Sequence, residues 1–113
     1  MSRTSKDRNI MRNMCVRLSA ILDAMRASDS EISRMLRYTN PATIARMRKG
    51  ETFFDSERLA LLGTLAIDGT ITANLHWILT GNGEPVISTA DKNYAKALSL
   101  LILKNAENSP LND

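Results

Sequence analysis

Two helix-start signals lie about three helical turns apart near the middle of this chain. The first is Ser28-Asp29-Ser30-Glu31. It reads as a capping box, in which the Ser28 hydroxyl accepts from the Glu31 amide and the Glu31 carboxylate reaches back to the Ser28 amide. The second is Asn40-Pro41. Proline disfavours helical geometry at the residue before it and suits the first turn of the helix it opens. Asparagine is among the best N-caps. Gly50 then offers the left-handed position that closes a helix. These signals predict a short helix ending near Leu36, a tight break through Thr39-Asn40, and another short helix over Pro41–Lys49. That is the outline of a helix-turn-helix.

Apolar spacing extends the reading in both directions. Met11, Met14, Leu18, Ile21, Leu22 and Met25 fall on one helical stripe, which predicts a helix from about Arg8 to Ala27. Ile32, Met35 and Leu36 supply the buried face of the second helix. Phe53 and Phe54 plug the core from a loop, and Asp55 caps a fourth helix with Leu59, Leu62 and Ala66 on one stripe. Asp68-Gly69 is a turn signal, and Thr72 is expected to cap a fifth helix that contains Leu75, Trp77, Ile78 and Leu79 and stops at Gly81. Residues 82–90 read as a linker. A last helix is expected from about Asp91 to Ala106, with Tyr94, Ala97, Leu98 and Leu101 on one face and Leu100, Ile102 and Leu103 widening it. So much apolar surface must be buried, either on the chain's own domain or against a second subunit.

The third helix is the one whose surface suggests chemistry. Ile44 and Met47 form a narrow apolar face, and Ala42, Ala45, Arg46 and Lys49 lie opposite. Small residues let a backbone approach closely, and long cations reach phosphates or guanine edges. The alternative is a plain amphipathic surface helix. The charge distribution bears on the choice. Residues 1–58 hold twelve basic residues against seven acidic ones, a net +5, and residues 59–113 carry a net −2. An Arg-dominated half suits a phosphate backbone, although a solvated surface without a partner has the same composition.

Other classes find little support. At 113 residues the chain suits one domain with a short appendage. Cys15 is the single cysteine, so no internal disulfide forms, and no Cys/His cluster is spaced for zinc. No apolar run approaches the roughly 18 residues of a membrane span, and the polar N-terminus lacks the apolar segment of a secretory signal. His76 is the single histidine and has no nucleophile or carboxylate arrangement around it in sequence, which suits a partly buried structural role. The Gly81–Gly83 pair is too short to cradle a phosphate. No catalytic residue, metal or cofactor is expected.

The run Ser28-Asp29-Ser30-Glu31-Ile32-Ser33, then Leu36, then Asn40 to Gly50, resembles the lambda-repressor-like (XRE) helix-turn-helix family. The segment Leu75-His76-Trp77-Ile78-Leu79-Thr80-Gly81-Asn82-Gly83 is similar to the ending of the DNA-binding domain in phage repressors of the CI type. Together the matches cover about residues 14–84. The resemblance implies a five-helix DNA-binding domain over 1–84 in an all-α fold; residues 85–113, outside the resemblance, are expected from their own composition and apolar spacing to be a linker and a C-terminal self-association helix. The resemblance also implies that Asn40, Pro41, Ala42, Thr43, Ala45, Arg46 and Lys49 face the major groove. Ser28, Ser30, Arg34 and Arg48 would meet the DNA backbone. Tyr94, Leu98, Leu101 and Ile102 would meet a second subunit. Arg3, Lys6 and Arg8 offer a minor-groove arm or a solvated tail. Departures are clear as well. Arg37 stands where the family has a small turn residue, Asp29 where it has a phosphate-binding Gln, and Met47 where a Trp is common. The turn is one residue longer.

The function so implied is transcriptional repression in a bacterial cytoplasm, at the nucleoid, by a phage or prophage protein that occupies double-stranded operator DNA as a dimer. The chain ends before any peptidase domain of the CI type, so relief of repression is expected from another route, such as an antirepressor protein. Two alternatives stay open: an antitoxin-like protein, and an adaptor whose main partner is another protein.

Overall fold

The computed structural model describes residues 5–88 and 90–111, with side chains from residue 9 onward. Among these residues lie six helices and one small sheet. Helix α1 (Ser5–Ala24) buries Leu18, Ile21 and Leu22 of the predicted stripe and Cys15 beside it, with Met11 and Met14 half-buried. It ends sooner than the periodicity suggests, because Arg26 takes the left-handed conformation at φ 56° and turns the chain. Helices α2 (Asp29–Met35) and α3 (Ala42–Arg48) follow where the two start signals place them. Helix α4 (Ser56–Thr64) is capped by Asp55, whose carboxylate accepts from the Arg58 amide at 2.9 Å.

The all-α expectation is corrected beyond α4. Strands β1 (Ala66–Asp68) and β2 (Ile71–Ala73) form an antiparallel hairpin about Gly69, which sits at φ 62°. Ile67, Ile71 and Ala73 point inward and the residues between them do not. This alternation is that of a half-buried strand. Asp-Gly is a hairpin signal when apolar alternation flanks it. Here each strand has three residues, too few for the period to stand out from a helix end.

The same sheet corrects two neighbouring expectations. Thr72 lies in β2 and pairs with Ile87, so it caps nothing. Asn74 is the N-cap of α5 (Leu75–Thr80), its side chain accepting from the His76 amide. The expected linker contains strand β3 (Val86–Ile87), which adds to β2 as the third strand. Asn74 secures the return of the chain. Its amide donates to Pro85 O at 2.9 Å, and Nδ2 donates to Glu84 O at 2.7 Å.

Helix α5 closes with Gly81 at φ 80°. Arg17 of α1 supplies the rest of that cap. Its Nε donates to Ile78 O at 2.8 Å and its Nη2 to Leu79 O at 3.3 Å. These are orphan carbonyls of a helix end. Burial lowers the Arg17 pKa. Trp77 and Ile78 are buried, whereas His76 is exposed, against the partly buried role expected for it.

Helix α6 (Lys92–Glu107) is capped by Asp91, which accepts from the Tyr94 amide at 3.1 Å. It packs on α1 and β3. Its Ala95, Leu98 and Ile102 join the same core as Leu18, Ile32, Ile44, Met47, Leu62 and Trp77. A fully buried Leu, Ile or Met contributes about 1.5–3 kcal/mol by removal from water. The last helix therefore shares in the stability of the whole. No helix among the described residues is long and apolar enough to cross a membrane.

Candidate nucleic-acid interface

The α2–α3 pair forms as its caps dictate. Ser28 Oγ accepts from the Glu31 amide and the Ser28 amide donates to Glu31 Oε1, both at 3.1 Å. Hydrogen bonding of the carboxylate by Ser28, its backbone amide first and its side chain second, holds the Glu31 carboxyl below its ordinary range. Ile32 and Leu36 enter the core and Ser33 is buried with them. Ser33 then fixes the turn. Its carbonyl accepts from the Tyr38 amide at 2.9 Å, and its hydroxyl donates to Tyr38 O at 3.3 Å.

Arg37, at the start of that turn, has φ 62°. A full side chain adopts this left-handed geometry here. The Arg37 carbonyl accepts from Arg58 Nη2 at 2.9 Å. Arg58 also lies 5.0 Å from the centre of the Tyr38 ring, which meets Phe54 edge-on at 5.4 Å. The turn thus has a bracing built from Arg58, Tyr38 and Phe54. Its parts are scattered in sequence, and Phe54 alone was legible as a core plug.

Asn40 acts one position earlier than a formal cap. Its Oδ1 accepts from the Ala42 amide at 2.9 Å, while Pro41 occupies the N-cap position itself. At the other end Gly50 sits at φ 78°. Its amide donates to Met47 O at 2.9 Å, and the Glu51 amide donates to Arg46 O at 3.0 Å. These two bonds are a Schellman closure.

Between these ends α3 turns Ile44 and Met47 inward, both fully buried. Asn40, Pro41, Ala42, Ala45, Arg46 and Lys49 are exposed, and Thr43 is half-buried. Six of the seven residues expected to read a groove therefore lie on the outer surface. Arg46 has one weak tie, to Glu51 at 3.7 Å, with both side chains more than half exposed. Such a surface pair is worth at most about 1 kcal/mol and holds the guanidinium loosely. Ser28, Ser30 and Arg34 are exposed on and beside α2.

Arg48 differs from the other candidates. Its guanidinium is held by Asp23 and Asp29, at 2.8 Å and 3.1 Å for the closest contacts. Burial opposes its charge, but the hydrogen bonds to Asp29 and Asp23 outweigh it and raise the pKa. The resemblance places Arg48 against the DNA backbone, and neither carboxylate is legible in sequence as its partner. Three side chains on three helices carry no local signal. Arg3, Lys6 and Arg8 lie outside the described side chains.

On α6 the four residues expected to meet a second subunit divide. Leu98 and Ile102 are buried in the chain's own core, with Ile102 fully so. Their contacts are satisfied within the monomer because α6 rolls this stripe onto α1 and β3. Tyr94 and Leu101 are exposed, as is Leu100. Tyr94 donates its hydroxyl to Asp68 of β1.

Among the described residues no three His, Cys, Asp or Glu side chains are grouped to hold a metal ion. Cys15 is fully buried and donates to Thr52 O at 3.3 Å. Burial pushes its pKa up to about 11. Scans against protein-family models, curated proteins and solved structures return no match for this chain.

Proposed function

We propose that this protein is a sequence-specific DNA-binding repressor of the lambda-repressor-like helix-turn-helix kind. One observation carries the reading: α3 is anchored inward by Ile44 and Met47 and presents Ala42, Ala45, Arg46 and Lys49 outward on one exposed surface. Alanines at the centre let a helix sit deep in a groove. The flanking cations then bond base edges or displace counterions from phosphates. Ser28, Ser30 and Arg34 of the α2 region supply backbone contacts. The protein so read is no enzyme, needs no cofactor, and acts at the nucleoid in a bacterial cytoplasm as the product of a phage or prophage. An antirepressor protein relieves it.

Operator binding as a dimer is part of this reading, with the surface revised. Tyr94 and Leu101, joined by exposed Leu100, form the available apolar strip of α6. That strip also favours a second reading, in which the main partner is another protein, as in an antitoxin or an adaptor.

A mobility-shift titration separates the two. Duplexes are selected from a random pool, then titrated against excess competitor over a range of salt. A DNA reader binds a selected duplex in the presence of competitor, and its affinity falls steeply with salt. Arg46→Ala together with Lys49→Ala lowers that affinity and flattens the salt slope by about one per cation lost. Binding that competitor abolishes, or that the double variant leaves unchanged, transfers the case to the protein-partner reading.

A further inference from the structure

We propose that Arg48 is a positioning residue. It clamps the end of α3 to the α1–α2 corner and leaves DNA contact to its neighbours on the outer face. The proposal rests on the DNA-binding reading and deepens it.

The geometry is specific. Arg48 Nε donates to Asp29 Oδ1 at 3.2 Å and Oδ2 at 3.3 Å, and Nη2 donates to Asp29 Oδ1 at 3.1 Å. Nη1 donates to Asp23 Oδ1 at 2.8 Å. Every nitrogen of the guanidinium is thus engaged by a carboxylate. Asp29 is the first residue of α2 and Asp23 lies in the last turn of α1. One side chain therefore joins three helices. A second tether runs beside it, from Ser19 Oγ of α1 to Met47 Sδ at 3.6 Å.

Burial and charge separate Arg48 from Arg46. The Arg48 side chain is 27% exposed and Arg46 is 63% exposed. Two carboxylates around one guanidinium leave a net −1, which repels a phosphate instead of attracting it. A forked, planar cation is what this arrangement demands. Lysine, a point charge, cannot bond both carboxylates with the same geometry. The role of Asp29 follows from the same contact. Where the family pattern has a phosphate-binding Gln, this chain has an internal anchor for α3.

The test compares Arg48→Lys, Arg48→Gln and Asp23→Asn/Asp29→Asn in the full chain. Two quantities are read: the affinity for a selected duplex relative to random duplex, and the slope of log K against log salt. A clamp predicts that Arg48→Lys loses discrimination as Arg48→Gln does, by roughly ten-fold, with the wild-type slope retained. It predicts that the Asp23→Asn/Asp29→Asn variant also loses discrimination. A phosphate contact predicts the opposite signs. Arg48→Lys would keep discrimination and slope, Arg48→Gln would flatten the slope by about one, and the double Asn variant would bind the selected duplex more tightly. Any of those three results overturns the proposal.

Urea unfolding of the same variants stands apart from DNA. If the wild type enriches no duplex, the DNA reading falls and the clamp is judged on unfolding alone. A midpoint loss from Arg48→Gln that vanishes in the double Asn background sustains it. An equal loss in both backgrounds overturns it.

Discussion

Arg37 holds a backbone conformation in which its Cβ crowds the following carbonyl, at φ 62°. That costs a non-glycine residue about 1 kcal/mol or more. Its carbonyl is pinned by Arg58, so the turn is held by contacts that do not involve the Arg37 side chain. Arg37→Gly is therefore expected to raise stability by about 0.5–1 kcal/mol, read as a higher urea midpoint with an unchanged m-value. A lower midpoint would show that the Arg37 side chain contributes more than its strain costs. Cys15 gives a second prediction at this scale. In the unfolded chain its thiol ionises near 9.0, and in the fold it keeps its proton to about 11. Between these values the unfolded state has released a proton that the native state retains, so stability falls as pH rises. At about 1.4 kcal/mol per unit the loss reaches roughly 3 kcal/mol at most. Burial also raises the Tyr38 pKa, which acts in the same direction at higher pH. Unfolding measured from pH 8 to 11 should show the decline in the wild type and a shallower one in Cys15→Ala. Parallel curves would remove Cys15 as its source.

At the scale of the element, local chemistry explains most boundaries. The Ser28 capping box and the Gly50 stop operate as their residue types suggest, and Asn40-Pro41 starts α3 with Asn40 one position ahead of the cap, because each depends on neighbours within a few positions. Ser28→Ala removes the acceptor for the Glu31 amide and is expected to cost about 1 kcal/mol. Thermal melts would register it as a drop of roughly 4–8 °C. Helix α5 differs, since half of its C-cap comes from Arg17 of another helix. A Cβ at position 81 would sit 3.2 Å from Arg17 Nη1, at a φ that already disfavours side chains. Gly81→Ala should therefore destabilise by about 1–3 kcal/mol, and less in an Arg17→Ala background because part of the cap is already gone. Equal effects in both backgrounds would show that strain alone is at work. Hairpin β1–β2 marks the limit of local reading. Its Asp68-Gly69 turn was legible, yet three-residue strands show no period distinguishable from a helix end, and Val86-Ile87 becomes a strand only by meeting β2.

Across the whole molecule, α6 decides how much of the chain stands or falls together. The apolar richness of this helix was plain in sequence, and which stripe faced inward was not. Ile102 is fully buried and Leu101, its neighbour, is about half exposed. Ile102→Ala should cost about 2–4 kcal/mol, a large share of the 5–15 kcal/mol that holds a domain together. Leu101→Ser should change monomer stability by less than about 0.5 kcal/mol. Sedimentation then reads the self-association part of the proposed function. If Tyr94 and Leu101 line a dimer contact, Leu101→Ser shifts the protein toward monomer. An unchanged sedimentation coefficient would discard that surface.

What the sequence determined by itself was the set of features governed by short-range physics. Caps, the proline break, the glycine stop and the 3.6-residue stripes place α2, α3, α4 and α6 and the body of α1, and they separate the buried Ile44 and Met47 from the outward Ala42, Ala45, Arg46 and Lys49. Each depends on groups within a turn or two along the chain. The tertiary structure decided everything that depends on distant partners. It paired β2 with β3, rolled Leu98 and Ile102 into the core, and gave the Arg17 guanidinium to α5. It also took Arg48 off the outer face by setting Asp23 and Asp29 around it. A cation's role is set by the nearest opposite charge in space, and nothing along one chain fixes that distance before the helices pack.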